Sequence, residues 1–168
     1  GRILTLCRDD LSGLPRNLTL HAGYDIAFGA ATKLAVDLGT RILREAAPAS
    51  LYQVPVANGV EDEASYLPMA GRALELQIGL LRRLVAQEAV TAFQAVHLAG
   101  NESTLHGMAG RLHGRLATRI APVTDLVPLC TVFDAACEVL FTGATEISGP
   151  SALLFGADGI LQEHHENA

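Results

Sequence analysis

Tryptophan is absent from this 168-residue chain, and phenylalanine and tyrosine raise the aromatic share only to 5%. Alternation of β-branched and polar residues never lasts beyond a few positions, so strand signals are almost missing. Cysteine is scarce as well. Cys7, Cys130 and Cys137 are odd in number and form no C-x-x-C pair, and no histidine nearby has ligand spacing, so a metal centre built on them is not indicated. Cys130 and Cys137 lie seven apart, one face of a helix, and are expected as buried thiols. No run of 18 apolar residues occurs despite a hydrophobic content of 49%, which argues against a membrane span. The opening "GRILTLCRDD" breaks into charge where a signal peptide would stay apolar, and cytoplasmic location is the expectation. Bases are outnumbered 12 to 18, a net charge of -6, so no basic face for nucleic acid is suggested.

What remains is rich in Ala, Leu, Gly and Arg, and reads as one all-α domain over residues 1–168, with a frayed tail at about 157–168. Ala27, Ala31, Leu34, Leu38 and Ile42 recur at helical spacing and predict a helix over 24–47, closed by Pro48. The clearest element is predicted over 64–98. There Leu67, Ala70, Leu74, Ile78, Leu81, Val85, Ala89, Ala92 and Val96 form a 3-4 seam expected to pack on other long helices. Pro68 is tolerated in its first turn and "AGNES" ends it. Shorter helices are expected in "STLHGMAGRLHGRLATRI" and in "LVPLCTVFDAACEVL", the latter capped near Thr131. A helix about 50 Å long exceeds the width of a domain this size, so association with copies or with another chain is implied.

Chemistry is sparse. His106 and His113 share helical spacing without a third ligand in register and read as surface residues, and "EHHE" at 163–166 reads as a polar tail. The stretch "VPVANGVEDEASY" gathers Glu61, Asp62 and Glu63 just before the long helix. Acids at a helix start favour the macrodipole and the free N–H groups, which accounts for Asp62 and Glu63.

Five segments in order resemble the C-terminal part of the aromatic amino acid ammonia-lyases, the family of histidine, phenylalanine and tyrosine ammonia-lyases. They are "GRILTLCRDDLSGLPRNLT", "AFGAATKLAVDLGTRI", "PASLYQVPVANGVEDEAS", "LVAQEAVTAFQAVHL" with Glu88, Ala92 and Gln94, and "RIAPVTDLVPLCTVFDAACEVL". The likeness runs from about residue 2 to residue 140. It implies a long-helix bundle like the C-terminal half of the ammonia-lyase (L-aspartase-like) fold, in a tetramer-like assembly whose active site draws on several subunits. It also implies a methylidene-imidazolone (MIO) electrophile made from Ala-Ser-Gly. This sequence has no Ala-Ser-Gly, so the ring is expected from a partner chain or another segment, the ring-bearing N-terminal lyase polypeptide.

By the same resemblance Glu61 matches the acidic residue that histidine ammonia-lyases place near substrate, able to hold a cation or move a proton. Val60 stands where the family usually has Gln or Asn, and Gly29 and Ala57 where plant-type members carry Lys and Glu. Those three substrate-facing positions therefore lack the family's polar contacts. Three readings stay open: a subunit or fragment of an ammonia-lyase (or of a related aminomutase), an inactive helical module derived from one, and an unrelated ligand-binding bundle.

Overall fold

A computed structural model describes residues 1–20, 27–52, 66–124 and 127–141. Among these residues every regular element is helical. In order they are α1 (Arg2–Cys7), α2 (Asp9–Ser12), a 3₁₀ turn (Arg16–Leu18), α3 (Gly29–Glu45), a 3₁₀ turn (Ala49–Tyr52), α4 (Leu67–Ala99), a 3₁₀ turn (Glu102–Thr104), α5 (Gly107–Ala117) and α6 (Leu129–Phe141).

The 33 residues of α4 form one uninterrupted helix that carries the rest of the fold. Its ends are set by local chemistry. Pro68 falls at the start, where an amide hydrogen has no intrahelical acceptor, and Gly100 at the end adopts the left-handed conformation at φ 64°. The Gly100 N–H reaches His97 O at 3.0 Å and the Asn101 N–H reaches Val96 O at 3.2 Å, the paired bonds of a Schellman termination. An added Cβ at Gly100 would meet nothing within 4 Å, so only backbone strain opposes a side chain there. Gly100→Ala is expected to cost about 1–2 kcal/mol, measured by urea denaturation, and an unchanged midpoint would refute this account of the helix end.

Helices α3 and α6 pack along α4, and α1 lies against both α3 and α4. Gln77 of α4 contacts the carbonyl of Glu45, and Gln87, ten residues on, contacts that of Ala31, so α3 runs antiparallel to α4. The core gathers Phe28, Leu18, Val90, Phe93, Leu116 and Phe133 around the C-terminal half of α4. Burying each such side chain contributes about 1.5–3 kcal/mol, which lets a core with few rings hold the helices together.

Several expectations are corrected. Helix α3 begins at Gly29, five residues after the predicted start, because residues 27 and 28 form a turn. Residues 21–26 lie outside the described set, as do 53–65 and 142–168 with the predicted tail. Thr131 is no cap: α6 starts at Leu129, and the Thr131 hydroxyl donates to Pro128 O at 2.8 Å. Cys130 is exposed and Cys137 half-buried, since α6 turns Phe133 and Ala136 inward instead.

One face of α4 is left largely uncovered by this chain's own described helices. Its apolar seam points mostly to solvent, with Leu67 74%, Leu74 56% and Leu81 51% exposed. The inward face instead follows Gln77, Leu80, Leu84, Gln87, Thr91 and Gln94, again at heptad spacing. The amides and the hydroxyl are tolerated there because each donates to a backbone carbonyl.

Candidate functional site

The carboxylate proposed to meet substrate, Glu61, lies outside the described residues, together with Val60 and Ala57. Gly29 is described. It opens α3, is half-buried, and an ideal Cβ there would sit 3.1 Å from Asn17 Cγ and Oδ1. The space a side chain would leave along is thus already taken by Asn17. A lysine at this position would require the Asn17 carboxamide to give way.

Asn17 is held in place by unusual backbone. Asn17 and Leu18 both adopt positive φ, 54° and 53°, a conformation asparagine tolerates and leucine resists. Three contacts compensate. The Leu18 side chain is buried, its N–H donates to Pro15 O at 2.9 Å, and the Phe28 N–H donates to Asn17 O at 3.2 Å. The turn therefore delivers Phe28 to the core and Gly29 to the head of α3.

Beneath the turn lies Gln94, only 1% exposed. Its Nε2 donates to Leu18 O at 3.3 Å and to Val123 O at 3.0 Å, while its Oε1 accepts the Val123 N–H at 2.8 Å. One amide thus joins α4, the 16–18 turn and the 121–124 segment. Val123 also lines a shallow cavity of about 290 Å³ with Arg119, Ile120, Thr131, Val132 and Ala135. Arg119 is engaged there by Glu138, 3.2 Å away. Glu88, matched to the family by sequence, pairs with the exposed Arg2 across α1 and α4.

His113 departs from its expected surface position. Its ring stacks on Phe93, with centroids 4.6 Å apart and planes 21° apart, and its buried Nε2 has no hydrogen-bond partner among the described residues. His106 is exposed and precedes α5. Among the described residues no group of three or more His, Cys, Asp or Glu side chains is placed to hold a metal, and no helix is long and apolar enough to cross a membrane.

The profile of the family described as "Aromatic amino acid lyase" matches residues 1–118, well over half of the chain. The chain belongs to this family. It is 29% identical over 142 residues to a histidine ammonia-lyase of Symbiobacterium thermophilum, covering 84% of this chain and 28% of that protein. Its fold matches the ergothioneine-degrading ergothionase of Treponema denticola, solved with desmethyl-ergothioneine sulfonic acid, at a TM-score of 0.75 and 25% identity. That match covers 82% of this chain and 28% of the other. Histidine ammonia-lyase of Trypanosoma cruzi shares the fold at a TM-score of 0.73 and 23% identity, covering 84% and 28%. The chain thus spans little more than a quarter of the length of these relatives.

Within this chain the three thiols differ in burial. Burial pushes the Cys7 thiol up to about 11, and its Sγ faces Phe28 O at 3.6 Å. Burial likewise raises the Cys137 thiol, outweighing the nearby Arg83 charge. A thiol reacts as its thiolate, so iodoacetamide at neutral pH is expected to label exposed Cys130 first and Cys7 only after unfolding. Timed alkylation with mass spectrometry checks this order, and early labelling of Cys7 would contradict its burial.

Proposed function

We propose that this chain supplies the C-terminal helical part of an ammonia-lyase that eliminates ammonia from a histidine-like or aromatic L-amino acid. The observation that carries the proposal is the family match over residues 1–118 together with a histidine ammonia-lyase relative aligned across 84% of the chain. The methylidene-imidazolone ring cannot arise from this sequence, which lacks Ala-Ser-Gly, so it belongs to another polypeptide or segment. That ring supplies the electrophile that makes the amino group a leaving group. The part assigned to this chain is the Glu61 carboxylate, which holds the substrate's cationic group or moves a proton beside it.

The outward seam of α4 supports assembly. Leu67, Leu74 and Leu81 leave a stripe of apolar surface that a neighbouring long helix would cover, either from the ring-bearing polypeptide or from a second copy. The proposed setting is cytoplasmic. A second reading rests on Val60, Ala57 and Gly29, none of which bears a polar side chain: the chain keeps the bundle and has lost the chemistry.

Co-expression with a ring-bearing N-terminal lyase polypeptide distinguishes the two. The first reading expects one co-purifying oligomer that converts histidine or an aromatic amino acid to its unsaturated acid, followed by ultraviolet absorbance. Co-purification without turnover on any of these substrates would favour the inactive module. Two polypeptides that stay separate, with this one a well-behaved monomer, would overturn both.

A further inference from the structure

The α3–α4 interface combines apolar positions that repeat with two amides that do not. Ala31, Ala35, Leu38 and Ile42 on α3 follow 4-3-4 spacing, and α4 presents Leu80 and Leu84 between Gln77 and Gln87. Two helices joined by apolar heptads alone have near-equivalent packings one heptad apart, and a polar group in the seam is the usual way to select one.

Both glutamines reach backbone carbonyls of α3. Gln77 Nε2 donates to Glu45 O at 2.7 Å, and Glu45 is the last residue of α3, where carbonyls run out of intrahelical donors. Gln87 Nε2 donates to Ala31 O at 2.7 Å, a carbonyl beside a methyl side chain small enough to let the amide reach the backbone. A slip of seven residues would set Gln87 against Leu38, whose side chain covers that approach, and would carry Gln77 away from the helix end. Neither bond is a strong source of stability. Ala31 O lies within a helix that can satisfy it, the Gln77 site is partly open to water, and Gln87 Oε1 is buried with no partner among the described residues. An amide left half-satisfied in a core suggests selection for something other than stability.

We propose that Gln77 and Gln87 form a register lock that gives α3 a single axial position on α4. The lock discriminates between packings and adds little to the depth of the folded state. Together with the 16–18 turn, whose Asn17 O accepts the Phe28 N–H, it sets where Gly29, at the head of α3, comes to rest relative to α4.

The test uses nitroxide labels at Lys33→Cys on α3 and Arg72→Cys on α4, in a chain carrying Cys130→Ser and Cys137→Ser. Labelled chain is diluted into unlabelled chain so that only distances within one copy are read. Pulsed electron resonance should show one distance with both glutamines present. In the Gln77→Met, Gln87→Met double variant, where side-chain volume is nearly kept and the amides are gone, a second distance shifted by about 10 Å should appear, seven residues of helical rise. Its population should rise about ten-fold, equivalent to about 1.4 kcal/mol of lost discrimination, while the melting temperature holds or increases. A single unshifted distance in the double variant would overturn the proposal. So would a double variant that fails to fold, because the amides would then be sources of stability.

Discussion

Replacing Gln94 with Leu is expected to destabilise the fold by about 2–5 kcal/mol, the largest effect of any single polar substitution considered for this chain. The Gln94 amide satisfies Leu18 O, Val123 O and the Val123 N–H at once, from a position only 1% exposed. Unlike Ala31 O, these groups sit in irregular backbone outside the long helices, where no ladder stands ready to take them. Leucine fills the same volume yet leaves all three without their partner, and a buried group so orphaned costs about 1–3 kcal/mol. The positive-φ pair Asn17 and Leu18 should loosen with it, since Gln94 also bonds the carbonyl of Leu18. Guanidinium denaturation measures the loss, with Gln77→Leu as the comparison expected to cost much less. Equal and small losses at the two positions would show that Gln94 is no keystone.

Glu61→Gln in the complete assembly is expected to lower turnover ten-fold or more, about 1.4 kcal/mol or beyond in the barrier, with little change in melting temperature. The reason lies in the difference between the two groups. Glutamine keeps the shape of glutamate and cannot hold a cation by charge or accept a proton. Asp62→Asn and Glu63→Gln serve as controls. The first turn of α4, which opens at Leu67, holds no acid, so the helix-start role expected for Asp62 and Glu63 is not met in α4, and their replacement should leave stability and turnover nearly unchanged. Steady-state kinetics of all three variants decide the matter. Turnover that falls equally in the three, in step with loss of folded protein, would leave Glu61 with no role in turnover separate from folding.

A single sequence was enough to read the helical class and the lyase likeness. Residue order carries both directly: Pro68 in the first turn and Gly100 at the end mark the 33 residues of α4, within which no further proline falls, and local propensity does not depend on what packs alongside. The family segments "AFGAATKLAVDLGTRI" and "LVAQEAVTAFQAVHL" are likewise linear features, and they fall on α3 and α4. Glu61, Val60 and Ala57 stand on residue order alone, because they fall outside the described residues.

Which side of α4 turns inward was decided only in three dimensions. Hydrophobicity ranks Leu67, Leu74 and Leu81 above Gln77, Gln87 and Gln94, so periodicity alone does not find the stripe that meets the chain's own core. A glutamine becomes acceptable inside when its amide meets a backbone group, and those groups come from Leu18, Ala31, Glu45 and Val123, far away in sequence. The same limit hid the placing of Asn17 where a side chain on Gly29 would go and the stacking of His113 on Phe93. Composition and spacing describe what a residue prefers; only tertiary contact supplies the partner that satisfies it, and for these glutamines the partners lie up to 76 residues apart.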